Sequence, residues 1–247
     1  MFLIVTGGSG GGGHNSGALF TLAAHQHVRD IQSGKFPGLP KSAGAKIVGP
    51  IKVTRVTALN DLLGKYTNIK YLAYFGHSWG FREDSEYGSL YLGDEYAPDT
   101  NLSNATHANN TPVTALVNLS RNMASGQIRL FGCQGGYAGK VDSTGTIKAV
   151  PPAEQLAKIV KPQVDVYGYE SIGGSIFTLD PDVGYLKKSY HGGKRKDPVT
   201  KAEEAKVKKI RADAVRTELW LVPNASTSPR MQGWRGEWDG KQYWKTP

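Results

Sequence analysis

Cysteine is almost absent: Cys133 is the only one in 247 residues. A single thiol excludes an intramolecular disulfide framework and any zinc site built from several cysteines. A free thiol also suits a reducing compartment. Long apolar runs are missing as well. No stretch approaches the roughly 18 apolar residues that a bilayer crossing requires, so no membrane span is expected. The opening MFLIVTGGSG has neither a basic leader nor an A-x-A cleavage pattern. It therefore reads as a first strand rather than a signal peptide, leaving the cytoplasm or export by a signal-less route as expectations. Without an export signal, the N-x-S/T matches, such as those at Asn101 and Asn224, carry little weight. There is no internal repeat and no compositional break, so one main domain is expected.

Acidic residues are scarce in one place only. The net charge is +9. Between Lys187 and Arg211 there are ten Lys/Arg and three Asp/Glu, so this segment carries +7 and the rest of the chain only +2. A polyanion or an acidic partner is the expectation for 187–211. No nucleic-acid motif accompanies it and its lysines are not interleaved with aromatics, so nucleic acid is not the expected partner.

What the sequence does contain is strands alternating with helices. Apolar or β-branched runs at 2–6, 51–56, 69–75, 127–132, 164–169 and 218–223 predict six strands, with a shorter one, half of a hairpin, at 87–94. Helical spacing predicts helices over 18–32, 57–66, 111–123, 151–161 and 200–216. Thr57 is the expected N-cap of the second helix, and Thr111 that of the third, with Pro112 just inside. In the last, Thr200 and Glu203 match a capping box. Residues 35–46 read as a Pro/Gly-rich loop, and 223–247 as an irregular aromatic tail packed on the same domain. This alternation implies an α/β fold: a three-layer α/β/α sandwich around a mostly parallel six-stranded sheet.

Three places could carry chemistry. The loop TGGSGGGGHNSG follows the first strand, and Gly8, Gly10 and Gly13 satisfy G-x-G-x-x-G. So glycine-rich a run matches almost any glycine template. Its His14 and Asn15 stand where a P-loop has Lys-Ser/Thr, and Asp30 falls inside a predicted helix rather than at the end of a second strand. A nucleotide-binding protein using residues 7–17 is therefore the alternative reading. The second place is the basic segment, which taken alone describes a solvated helix face. The third is a pair: YLAYFGHSWG and IRLFGCQGG are each an apolar strand, a glycine, and then one reactive side chain. Alone, His77 is a polar loop residue and Cys133 a small buried hydrophobe. Together they sit at the carboxyl ends of consecutive central strands, where open α/β sheets gather ligands. A right-handed crossover makes those strands neighbours.

This pair of strand ends resembles the caspase-like (clan CD) cysteine peptidases, including self-processing toxin modules. In element order the resemblance covers residues 1–222. The family commonly has glycine directly after the histidine, where this chain has Ser78. The resemblance implies a cysteine endopeptidase of the toxin or effector-module kind acting on protein or peptide substrates, without metal or cofactor. It implies Cys133 as nucleophile, His77 as acid and base, and the backbone N–H groups of Ser78 and Cys133 as oxyanion donors. Gly132 and Gly135 would line the substrate cleft. Glu170 and Ser171, just beyond the strand at 164–169, would meet the substrate side chain, with Glu170 suited to a basic one. A catalytically silent scaffold binding a partner through the basic helix is a further alternative.

Overall fold

The structure, a computed structural model, describes residues 1–8, 16–34, 36, 39, 44–79, 86–94, 96–133, 135–136, 150–169, 190–191, 194–195, 201–202, 205, 209 and 240–243. The most apolar strands occupy its centre. β1 (Phe2–Thr6) leads through α1 (Ser16–Gln32) to β2 (Ile47–Lys52), and α2 (Val56–Gly64) leads to β3 (Tyr71–Phe75). Every residue of β1 and β3 is buried, as strands covered on both faces must be. The chain then builds a smaller sheet from β4 (His77–Trp79), β5 (Ser89–Tyr91), β6 (Asn101–Leu102) and β7 (Asn110–Thr111). A 3-10 turn (Val113–Ala115) and α3 (Val117–Asn122) return it to the main sheet as β8 (Gly126–Leu130). α4 (Pro152–Ala157) and β9 (Val164–Tyr169) follow, then a short hairpin of β10 (Tyr190–His191) and β11 (Lys194–Arg195), and finally β12 (Gly240–Tyr243).

The main sheet has the order β12-β9-β8-β3-β1-β2. Its five strands from β9 to β2 are parallel, and β12 joins the edge antiparallel to β9. The smaller sheet is mixed, since β4-β5 and β5-β6 are antiparallel while β6-β7 is parallel. Strand alternation divides the core in two. Leu3, Val5, Leu72, Ile128 and Val166 share one buried cluster with Leu59, Leu63, Leu119 and Leu156 from α2, α3 and α4. Phe2, Ile4, Tyr71, Ala73 and Phe75 share another with Leu19, Phe20 and Ala23 of α1. The main sheet thus carries α1 on one face and α2, α3 and α4 on the other. Among the described residues no helix is long and apolar enough to cross a membrane.

Several local expectations are corrected. The second strand covers 47–52 rather than 51–56, although Gly49 and Pro50 lie within it. Pro50 has no N–H to donate, and β2 is an edge strand where that is tolerated. The register shift between Leu3 and Val5 absorbs the irregularity. Thr57 is not the N-cap of α2, because Arg55 occupies that position and makes no side-chain cap bond. The orphan amide is satisfied from 42 residues away: Asp99 Oδ2 accepts the Thr57 N–H at 3.1 Å and its hydroxyl at 2.5 Å. Asp99 Oδ1 accepts the Thr111 hydroxyl at 2.9 Å. Thr111 therefore belongs to β7 rather than capping a helix, and the expected helix over 111–123 is a 3-10 turn followed by α3. Asn60 Oδ1 accepts the Asn118 N–H at 3.0 Å at the start of α3. Within the aromatic tail, residues 240–243 form an edge strand. The strand expected at 218–223 lies outside the described residues, as does most of the helix expected over 200–216.

Candidate active site

Residues far apart in sequence meet at the carboxyl end of the main sheet. β3 and β8 are parallel neighbours, with Tyr74 opposite Leu130. The Phe131 N–H continues the ladder by donating to the Tyr74 carbonyl at 2.8 Å. His77 and Cys133 each stand three residues beyond that last registered pair, so the two chains leave the sheet in step. Beyond this point they remain in contact. The buried Ser78 hydroxyl donates to the Cys133 carbonyl at 2.5 Å. Gly132 makes the approach possible: a Cβ there would fall on Ser78 Oγ and lie 2.8 Å from Ser78 Cβ. Cys133 itself is half-buried and forms no disulfide.

His77 is held from two sides. Its ring meets the Phe20 ring edge-on, with centroids 4.8 Å apart and planes at 88°. Its carbonyl accepts from the Tyr74 hydroxyl at 3.1 Å, which the Tyr91 carbonyl also accepts at 2.6 Å. Tyr74 is fully buried, and desolvation pushes its hydroxyl far above the ordinary tyrosine value, so it remains a donor. One phenol thereby ties the end of β3 to β5. Pairing of His77 with Tyr91 and of Trp79 with Ser89 makes the histidine part of a strand rather than a loop.

The turn after Cys133 is anchored from the opposite side. The buried Gly135 carbonyl accepts the Ala153 N–H of α4 at 2.9 Å. A Cβ on Gly168 of β9 would lie 2.5 Å from the Gly135 carbonyl carbon, so β9 closes on the turn only because that position is glycine. Gln155 is fully buried, and its side-chain amide donates to the carbonyls of Gly88 and Val150 while its oxygen accepts the Asn104 N–H. This one side chain joins α4 to the smaller sheet.

The expected site residues thus divide into two sets. His77, Ser78, Gly132, Cys133 and Gly135 come together at the ends of β3 and β8. Glu170 and Ser171 lie outside the described residues, as do residues 9–15 of the glycine-rich loop and most of 187–211. The first glycines of that loop are described, and their amides are occupied. Gly7 N–H donates to the Phe75 carbonyl at 2.8 Å and Gly8 N–H to the Leu92 carbonyl at 2.5 Å. Neither is available to cradle a phosphate. Asp30 is buried inside α1 and accepts from the Gln26 amide, away from any second-strand end. Among the described residues no three His, Cys, Asp or Glu side chains are grouped as a metal site would need.

Sequence reasoning missed Tyr74, Phe20 and Gln155. One signal was available for Tyr74, since a phenol within a strand as apolar as YLAYF must find a hydrogen-bond partner inside the core. Phe20 and Gln155 carried no local signal. Comparison with protein-family models, with curated proteins and with solved structures finds no match to this chain.

Proposed function

We propose that this protein is a cysteine endopeptidase of caspase-like architecture, using His77 and Cys133 as a dyad. One observation carries the reading. His77 and Cys133, 56 residues apart, follow neighbouring parallel strands in step, and the main chain at Cys133 is tied to the residue after His77 by the hydrogen bond from the Ser78 hydroxyl to the Cys133 carbonyl. In the proposed reaction the Cys133 thiolate attacks a peptide carbonyl carbon, forming the C–S bond of a tetrahedral adduct. The adduct collapses as the C–N bond breaks and the leaving amine takes a proton from the His77 imidazolium. Water then attacks the thioester and gives its proton to His77. The C–S bond breaks, releasing the carboxylic product and regenerating the thiolate.

The N–H groups of Cys133 and Ser78 are the proposed oxyanion donors, each worth about 2.7–4 kcal/mol in other acyl-transfer enzymes. A backbone donor is indifferent to the replacement of glycine by Ser78. The Ser78 side chain supplies something glycine cannot, a hydroxyl that fixes the main chain at the nucleophile. Gly132 and Gly135 allow the close backbone approaches on which the cleft depends. Glu170 and Ser171 follow β9, the strand beside β8, and are proposed to meet the substrate on its acyl side. The basic segment 187–211 remains the proposed contact for an acidic partner, in keeping with a toxin or effector module. No metal or cofactor enters this chemistry.

The test is a peptide library incubated with the wild-type protein, Cys133→Ala and His77→Ala, together with a peptidyl chloromethyl ketone whose adduct is mapped by mass spectrometry. The reading expects cleavage by the wild type only, and an adduct on Cys133. Full activity in either variant overturns it.

A further inference from the structure

Resting on the dyad reading above, we propose that Phe20 is a positioning residue of the dyad: its ring selects the orientation of the His77 imidazole that the reaction at Cys133 uses. The main chain alone leaves that orientation open. Pairing with β5 fixes the backbone of His77, but a strand side chain can still choose among staggered χ1 wells. The Phe20 ring meets the imidazole with centroids 4.8 Å apart and planes at 88°, the edge-to-face geometry that aromatic pairs prefer. A change of rotamer at His77 would give that contact up.

Phe20 can serve as a fixed reference because it is itself immobilised. It is buried near the start of α1 and shares a core cluster with Phe2, Ile4, Phe75 and Phe131. Side chains packed to that density sit in rotamer minima and transmit strain. His77 is only half-buried, and the contact ties it to a ring that cannot follow its movements.

The same cluster sets the spacing of the two strand exits. Phe75 and Phe131 are stacked, with centroids 4.4 Å apart and planes at 2°. Phe75 stands two residues before His77, and Phe131 two before Cys133. Tyr71, Ala73 and Phe75 occupy the face of β3 that α1 covers, and after the bend at Gly76 the His77 ring meets Phe20 of that same helix. Tyr74 belongs to the opposite core cluster and reaches His77 through its carbonyl. The two anchors thus divide the task, Tyr74 holding the main chain and Phe20 the ring. Loss of the Phe20 ring should therefore be felt in reactivity more than in substrate affinity.

The experiment follows Cys133 alkylation by iodoacetamide against pH in wild type, His77→Ala, Phe20→Leu and the double variant Phe20→Leu/His77→Ala. Phe20→Met, which fills the same space differently, guards against a packing defect peculiar to leucine. Leu22→Val, in the same buried cluster, is the control for a general loss of stability, matched by thermal melting. Both Phe20 variants should place the inflection between those of wild type and His77→Ala, and Leu22→Val should leave it where wild type has it. The double variant should coincide with His77→Ala, since a ring that acts through the imidazole has nothing to act on once the imidazole is gone. On a cleaved peptide, Phe20→Leu should lose about tenfold in kcat, as misplacement of a catalytic group does, with KM changed less than about twofold. Phe20 profiles superimposable on wild type, an equal shift in Leu22→Val, or a further shift in the double variant would overturn the proposal. Identical profiles for wild type and His77→Ala would instead end the dyad reading, and this inference with it.

Discussion

The ends of β3 and β8 look alike in sequence, each an apolar strand, a glycine and a reactive side chain, but they are built differently. After β3 the chain bends at Gly76, becomes a strand again, pairs with β5, and carries His77 on that strand with its carbonyl held by the Tyr74 phenol. After β8 it turns, and the turn is held by groups borrowed from elsewhere: the Ser78 hydroxyl, and α4 through the Ala153 N–H. The imidazole therefore stands on a self-supporting element, while the thiol depends on its neighbour's strand. The cysteine end should accordingly be the more sensitive of the two to small changes in packing, and the histidine end to loss of a buried hydrogen bond.

The largest expected effect treats both ends as one machine. Cys133→Ala and His77→Ala should each abolish peptide cleavage with little loss of stability, as seen by turnover and by thermal melting. Next comes the contact that separates the ends. Gly132→Ala places a methyl group on Ser78 Oγ. It should destabilise the protein by about 1–3 kcal/mol, the usual range for overpacking. In a Ser78→Gly background the same substitution should cost less, and a double-mutant cycle on urea melts should show coupling of about 0.5–3 kcal/mol. Additivity would mean that the two chains do not lean on each other. Tyr74→Phe leaves the Tyr91 and His77 carbonyls without their shared donor and should cost about 1–3 kcal/mol in the same assay. An effect no larger than that of Ser78→Ala would erase the proposed contrast.

The smallest effect concerns Asp99, outside the site. Burial alone would raise its carboxyl, but the Thr57 hydroxyl and amide, Thr111 and the Arg55 charge outweigh burial and hold it below the ordinary aspartate value. A carboxylate depressed by folding stabilises the protein above its unfolded value, and that contribution is lost as pH falls through the folded one. Wild type should therefore melt slightly above Asp99→Asn near pH 7, and the gap should close below about pH 4. A gap independent of pH would assign the effect to something other than the charge.

Legibility in the sequence followed the range of the forces involved. β1 and β9 lie where their sequence patterns put them, residue for residue: β1 is buried at every position, and β9 alternates, with Val164 and Val166 buried and Asp165 and Tyr167 partly exposed. The adjacency of β3 and β8 was likewise readable, since chirality leaves few ways to connect parallel strands. Features decided by distant partners were not. Asp99 caps α2 from 42 positions away and Asn60 serves α3, so Thr57 and Thr111 looked like caps and are not. The expected second strand began only at 51, after Gly49 and Pro50, because nothing local says that β2 is an edge strand where they are tolerated. Within the site, His77 and Cys133 stood out by type and position. Tyr74 was hidden in plain view, as its phenol reads locally as one more apolar strand residue.

The central claim is that the thiol and the imidazole act on one another. Its most direct test is the rate of Cys133 alkylation by iodoacetamide as a function of pH, in wild type and in His77→Ala. The account predicts a fast reaction in the wild type, with an inflection well below the value of about 8.5 for an unperturbed thiol, moving up toward that value when the imidazole is removed. Superimposable profiles for the two proteins would contradict it.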